Sequence, residues 1–191
     1  MSERRRGTGE RETGAPLLEI AEVSAGGAGG KIGISRCPGK LVPRKDGPSQ
    51  GDLGVDLDAV TAWKAVALVT LVDDDEIEAL GIVGFGDEVR ARGLAWYHLP
   101  IEDFSEPNRQ FEKRWKTAGP ELLAHLRAGR RVHMHCNMGL GRAGTIAARL
   151  LVELGLPPQT AIERIRAARP HAIQTDAQMD YVLRLRAAKA G

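Results

Sequence analysis

The chain is predicted to fold as a three-layer α/β single domain, with a central, mainly parallel sheet flanked by helices. Three observations lead there. Apolar runs such as Ala65–Val72 have the length and composition of buried strands. Segments with apolar residues at helical spacing, such as Ile146, Leu150, Leu151 and Leu154, alternate with them. A length of 191 residues at 42% hydrophobic content supports one core without requiring a second.

In chain order, residues 1–15 mix Arg, Glu and Gly with too few apolar side chains to order them, so a flexible tail precedes a domain spanning 16–191. Pro16–Val23 reads as an edge strand, Gly26–Gly30 as a turn and Ile32–Ser35 as a strand. Lys31 does not complete a phosphate-binding Walker loop, which needs glycine where Ala25 stands and Ser or Thr where Ile32 stands. Cys37-Pro38-Gly39 opens a long loop, 39–54, that carries Lys40, Arg44 and Lys45. Leu57–Lys64 has helical spacing and hands over to the strand Ala65–Val72. Asp73–Glu76 reads as a solvated helix start whose carboxylates complement the helix dipole, in preference to a metal site. Gly86–Arg90 is a short helix and Leu94–Leu99 a strand. Asn108–Trp115 begins a helix that Gly119-Pro120 is expected to kink or restart before Leu122, Leu123 and Leu126. Arg131–His135 is a further strand. Thr160–Arg169 forms a helix ended by Pro170, and Asp176–Lys189 a last helix with Met179, Val182 and Leu183 facing inward. Arg164, Arg166, Arg184 and Arg186 read as a solvated face.

Chemistry concentrates in residues 133 to 145. Cys136 falls at the end of a strand, and Gly139, Gly141 and Arg142 fill the tight loop before the next helix. Glycines let successive N–H groups turn inward, and the helix points its positive end at the same place, which makes an anion cradle. Arg142 stands five residues beyond Cys136, so its guanidinium can fork onto two oxygens of an anion while the sulfur faces the central atom. Cysteines at helix N-termini beside cations ionise readily, so Cys136 is expected to attack as thiolate without a dedicated base.

The segment His135-Cys136-x-x-Gly139-x-x-Arg142 resembles the signature of the cysteine-dependent protein tyrosine and dual-specificity phosphatases. Ile173-Gln174-Thr175-x-x-Gln178 is similar to the superfamily's Ile-Gln-Thr-x-x-Gln segment, and Leu99–Asp103 to its general-acid loop. With Cys37-Pro38-Gly39, the set resembles the kinase-associated phosphatase branch and its bacterial relatives, over roughly Lys31 to Lys189. The resemblance implies Cys136 as nucleophile, Asp103 as general acid and Gln174, helped by Gln178, as holder of the hydrolytic water. It implies phosphate binding by Asn137, Met138, Gly139, Leu140, Gly141 and Arg142, with His135 and Thr145 in support. No metal or organic cofactor is implied. Glu102 is the rival acid, one position away and facing elsewhere in an extended segment.

One departure stands out. The superfamily commonly carries Ser or Thr after the motif arginine, to steady the departing sulfur, and Ala143 occupies that place here. Breakdown of a phosphocysteine is therefore expected to be slow unless Thr145 or water substitutes. Asn137, Met138 and Leu140 bring no positive charge to the rim, which favours a phosphorylated protein, or a small phosphate ester, over a multiply phosphorylated lipid head.

Other readings are weaker. Gly139-x-Gly141-x-x-Gly144 is literally a dinucleotide fingerprint, but helical sequence, with no strand, follows its helix. His133 and His135 can share a sheet face as metal ligands, yet no third ligand stands at suitable spacing. A phosphopeptide-binding module without catalysis is the competing class. Two cysteines argue against a disulfide scaffold, and Cys37 reads as a small residue beside a turn or as a thiol that pairs reversibly with Cys136. A polar start, no long apolar run and no aromatic-rich basic stripe at a net charge of +2 predict a cytoplasmic protein with neither membrane nor nucleic acid as partner.

Overall fold

A computed structural model describes residues 18–27, 29–44 and 47–186. The expected tail, 1–15, lies outside the described residues, as do positions 187–189 of the last expected helix. The elements are β1 (Ala21–Ser24), β2 (Lys31–Ser35), β3 (Val42–Arg44), β4 (Gly47–Gln50), α1 (Leu53–Ala62), β5 (Ala65–Thr70), α2 (Asp74–Ala79), α3 (Phe85–Ala91), β6 (Ala95–His98), α4 (Arg109–Arg127), β7 (Arg131–His135), α5 (Gly141–Glu153), α6 (Pro158–Ala168) and α7 (Asp176–Arg184).

Five strands form one sheet in the order β1-β2-β7-β5-β6. β2, β7, β5 and β6 run parallel and β1 is an antiparallel edge, as expected for a mixed sheet with a parallel centre. β7, last in sequence, sits in the middle and alternates its side chains. Buried Val132 and Met134 face one way and buried His133 and His135 the other, toward the rings of Trp63 and Phe85. α1 and α3 thus cover the histidine face, α4, α5 and α6 pack on the strands from the opposite one, and α7 packs against α5 and α6. A central parallel strand opens at its carboxyl end into the crevice where ligands bind in such sheets, and Cys136 is the next residue. After α5 the chain continues into α6 and α7, with no strand among the described residues, so the second strand of a dinucleotide unit is missing.

Three expectations are corrected. α4 runs through Pro120 as one helix, so Gly119-Pro120 does not restart it. Proline inside a helix costs about 3 kcal/mol, and the buried face of Phe111, Trp115, Leu122, Leu123 and Leu126 outweighs that. Segment 39–54 is not all loop but holds the antiparallel pair β3–β4. In α7, Tyr181 and Val182 are buried while Leu183 is exposed. Arg166 is exposed, as expected, and its guanidinium also donates to the carbonyls of Ala172 and Ile173 at 3.0 Å each.

Candidate active site

The loop between β7 and α5 is built by turning its carbonyls outward. Asn137 O accepts from Cys37 N at 3.1 Å, Leu140 O from Gly144 N and Ile173 N, and Gly141 O from Thr145 Oγ1 at 2.8 Å. Arg169, just past α6, donates Nη2 to Met138 O and Nε to Gly139 O, both at 3.2 Å. Among the described residues, none of the backbone amides from Asn137 to Arg142 donates to another protein group. Peptide planes whose carbonyls face out present their N–H groups to the inside, at the positive end of a 13-residue helix. Gly139 is required by this course. Its φ is +68°, and an added Cβ would lie 2.3 Å from the Ser35 carbonyl oxygen.

Arg142 is fully buried and forks onto one carboxylate. Nη1 lies 2.6 Å from Glu76 Oε2 and Nη2 lies 2.8 Å from Oε1, while Nη1 also donates to Ile101 O at 3.0 Å. Asp103 Oδ1 stands 3.1 Å from Nη2. Burial works against the guanidinium charge, but the Glu76 carboxylate, the Cys136 sulfur and Asp103 outweigh it and hold its pKa above the ordinary value. Arg142 Nε and His133 Nδ1 are the two buried side-chain polar atoms without a partner among the described residues. An unpaired buried donor is costly, and here it belongs to a residue that lines a cavity.

That cavity, about 160 Å³, is lined by Lys40, Asp103, Phe104, Cys136, Asn137, Met138, Arg142 and Gln174. Asp103 is half-exposed in a turn after β6, where its Oδ1 accepts from Phe104 N at 3.0 Å. Glu102 instead lines a separate cavity with Asp73, Pro100 and Asn108, so the two carboxylates face different spaces. Gln174 is exposed at the mouth and packs on Gly141, where a Cβ would meet its Oε1 at 2.9 Å. Gln178 is fully buried and already committed. Its Oε1 accepts from Gln174 N and Thr175 N, and its Nε2 donates to Ser105 O at 3.3 Å. It closes the capping box of α7 and, with the Thr175 hydroxyl donating to Phe104 O, ties the Asp103 turn to the glutamine segment.

His135 is held by a buried hydrogen-bond chain. The Trp96 indole N–H donates to Thr70 Oγ1 at 2.8 Å, and the Thr70 hydroxyl, fully buried, contacts His135 Nε2 at 3.0 Å. Thr70 needs an acceptor for its own proton, which assigns Nε2 as that acceptor and leaves Nδ1–H to donate to Cys136 O at 3.3 Å. Burial lowers the pKa values of His133 and His135 to about 3, so both are neutral. His133 bonds Ser35 Oγ, and no metal-holding cluster of His, Cys, Asp or Glu occurs among the described residues. Cys37 and Cys136 are both free thiols. Burial, then the nearby Cys136 sulfur, pushes the Cys37 thiol up to about 12.

Three residues at the site carried no such signal in the sequence. Glu76 stands at the start of α2, as expected, but it is not a solvated dipole partner alone: it is the N3 residue of a capping box with Asp73, and its half-buried carboxylate grips Arg142. Arg169 shapes the loop from outside. Lys40 brings to the cavity the positive charge that the rim was expected to lack.

Residues 56–156, just over half of the chain, match the family model described as "Polymorphic toxin system, DSP-PTPase phosphatase". The chain belongs to this family of dual-specificity and tyrosine phosphatases. It is 34% identical over 94 residues to the PRL-1 phosphatase of Drosophila melanogaster, an alignment covering 46% of this chain and 49% of that protein. It is 37% identical over 93 residues to cyclin-dependent kinase inhibitor 3 of Rattus norvegicus, covering 47% and 42%. The chain thus spans about half or less of the length of these relatives. Among solved structures, kinase associated phosphatase with its catalytic cysteine changed to serine matches with a TM-score of 0.74 at 24% identity, covering 87% of this chain and 92% of that one. Tk-PTP in its active form matches with a TM-score of 0.63 at 29% identity, covering 85% and 93%.

Proposed function

We propose that this chain hydrolyses phosphate monoesters through a phosphocysteine intermediate, with phosphotyrosine, phosphoserine or phosphothreonine in proteins as substrate. The observation that carries the reading is the ring of unpartnered amides from Asn137 to Arg142, completed by the unpaired Nε of Arg142 and set around Cys136. Such a ring has the donors to hold three phosphoryl oxygens as charge develops on them.

In the first step the Cys136 thiolate forms a bond to phosphorus as the bond to the ester oxygen breaks. Asp103 donates its proton to the departing alcohol or phenol, and Arg142 with the loop amides holds the equatorial oxygens. The anion then takes over the contact that Asp103 makes with Arg142 Nη2, which frees the Asp103 carboxyl for the leaving group. In the second step Gln174 orients a water, Asp103 takes a proton from it as its oxygen bonds to phosphorus, and the phosphorus–sulfur bond breaks to return the Cys136 thiolate and free phosphate. Gln178 acts through Gln174 and the acid turn, because both ends of its amide are already engaged. The cradle itself supplies the charge the reaction needs, so no metal or cofactor is assigned. A thiolate nucleophile requires reducing surroundings, and we assign the cytoplasm on that ground.

The deciding experiment is hydrolysis of an aryl phosphate in the presence of chelator, with acid quenching of the reaction mixture. Phenol release with one phosphoryl group trapped on the Cys136 peptide is expected; release with no trapped phosphorus, or release abolished by chelator, overturns the mechanism.

A specific feature favours slow turnover. Ala143 is fully buried with no hydroxyl, and the Thr145 hydroxyl is spent on Gly141 O. A missing hydrogen bond to a charged group costs about 1.5 to 3 kcal/mol, roughly ten- to a hundredfold in rate. Rapid mixing with an aryl phosphate is expected to show a burst of phenol, larger relative to the steady state than in Ala143→Ser. Single-phase release with equal turnover in both proteins overturns this.

A further inference from the structure

Resting on the phosphatase reading, we propose that Lys40 gives the cavity a second anion subsite, selecting phosphopeptides that carry a carboxylate next to the phosphorylated residue. Lys40 lies 96 residues before Cys136 in sequence, yet it lines the same cavity, and its Nζ contacts Asn137 Oδ1 and, at 3.0 Å, Met138 Sδ.

The chain goes to some length to put it there. Cys37-Pro38-Gly39-Lys40 is a turn closed by Lys40 N donating to Cys37 O at 3.2 Å, with proline and glycine as its central pair and Gly39 at a φ of +81°. Asp56, buried in α1, pins that turn. It accepts from Gly39 N at 2.7 Å and takes both terminal nitrogens of Arg36, at 2.7 and 3.1 Å. Cys37 N then fastens the turn to the cradle through Asn137 O. The base of the lysine is therefore as fixed as the loop it overlooks, and its half-buried stem projects across the loop's outer edge.

Charge balance says what it is for. Besides the nucleophile Cys136, three charged side chains line the cavity: Arg142, Asp103 and Lys40. Arg142 is answered by Glu76 and Asp103, whereas the Lys40 ammonium meets an amide oxygen and a thioether, and no carboxylate among the described residues. A cation whose partners are neutral leaves its field at the mouth of the cavity, where it attracts an anion attached to the substrate. A single lysine is far short of the cluster of about four to eight basic residues by which proteins hold anionic membranes, so an acidic peptide is the better match.

The test compares wild type, Lys40→Ala and Lys40→Arg on two phosphotyrosine peptides that differ only in Glu or Gln beside the phosphotyrosine. The readout is the ratio of kcat/KM for the two, which a general loss of activity does not move. Wild type is expected to prefer the Glu peptide by about fivefold at low salt, through KM, with the preference shrinking as ionic strength rises. Lys40→Ala brings the ratio close to one and Lys40→Arg retains most of it. An unchanged ratio in Lys40→Ala, or no preference in wild type, overturns the proposal. So does Lys40-dependent hydrolysis of phosphoinositide in vesicles in preference to both peptides. The same ratio read by equilibrium binding to Cys136→Ser, with and without Lys40→Ala, stands even if hydrolysis is absent, which separates failure of the subsite from failure of the phosphatase reading.

Discussion

Replacing Cys136 by serine is expected to lower aryl phosphate turnover by at least about four orders of magnitude, while phosphopeptide binding stays within a few-fold of wild type. The first half follows from what surrounds the sulfur. A serine hydroxyl attacks phosphorus only with a base to take its proton, and no group at the site is available for that. His135 is neutral, but its Nε2 is held by Thr70 and its Nδ1 proton points at the Cys136 carbonyl, away from the side chain. Glu76 is forked onto Arg142, and in the proposed reaction Asp103 is the donor to the leaving group. The second half follows from the cradle, whose amides and Arg142 owe nothing to the sulfur for their positions. They are held from outside by Cys37 N, Arg169, Ile173 N and Glu76. Steady-state assays together with calorimetric titration of a phosphopeptide check both halves. A variant that keeps more than about one part in a hundred of the activity removes Cys136 from the role of nucleophile.

The parts of this site that could be read in the sequence are those whose residues lie within one turn of chain. Cys136, Gly139 and Arg142 occupy a single loop, and the strand before it and the helix after it are announced by ordinary apolar spacing, so sheet, cradle and helix were all foreseeable. Asp103 and Gln174 came from resemblance, and the fold brings both to the cavity that Cys136 lines. Glu76 was hidden by its own legibility. As an acidic residue at the start of α2 it has a sufficient local role in complementing the helix dipole, and nothing local says that its carboxylate also serves an arginine 66 residues on. Lys40 was hidden differently. Pro43 and Pro48 made its segment read as loop, because proline removes ladder hydrogen bonds, yet a separate two-stranded pair has outer edges that tolerate it. A segment that reads as loop leaves open the direction of the Pro38-Gly39 turn, and with it the reach of Lys40 over the cradle. Arg169 has the same lesson in reverse. An arginine before a proline reads as the end of a helix, and only the fold shows that α6 ends against the outward carbonyls of Met138 and Gly139.

Arg142→Lys is the second change with a large expected effect, and it separates charge from geometry. Both residues carry one positive charge, so a cradle that works by charge alone loses little. The structure asks for more. Nη1 and Nη2 meet both Glu76 oxygens in parallel, Nη1 also satisfies the Ile101 carbonyl, and Nε remains for the phosphoryl group. An ammonium at the end of a flexible stem cannot repeat that fork, and the outcome is a loss of at least one donor aimed at the transferring oxygens. Removing one preorganised donor of this kind costs about a hundred- to a thousandfold in kcat, so a fall of roughly a thousandfold is expected for Arg142→Lys. Glu76→Gln is the informative partner. It keeps one acceptor for the fork while removing the charge that orients it, and a loss of roughly tenfold, carried mainly by kcat, is expected. Glu76 keeps 23% of its side-chain surface exposed, so water can cover part of what the amide leaves unsatisfied, and the protein is expected to remain folded. Thermal unfolding of both variants alongside their kinetics makes the distinction. If Arg142→Lys retains activity within tenfold of wild type at unchanged stability, the guanidinium geometry is irrelevant to catalysis, and charge at that position is all the cradle needs.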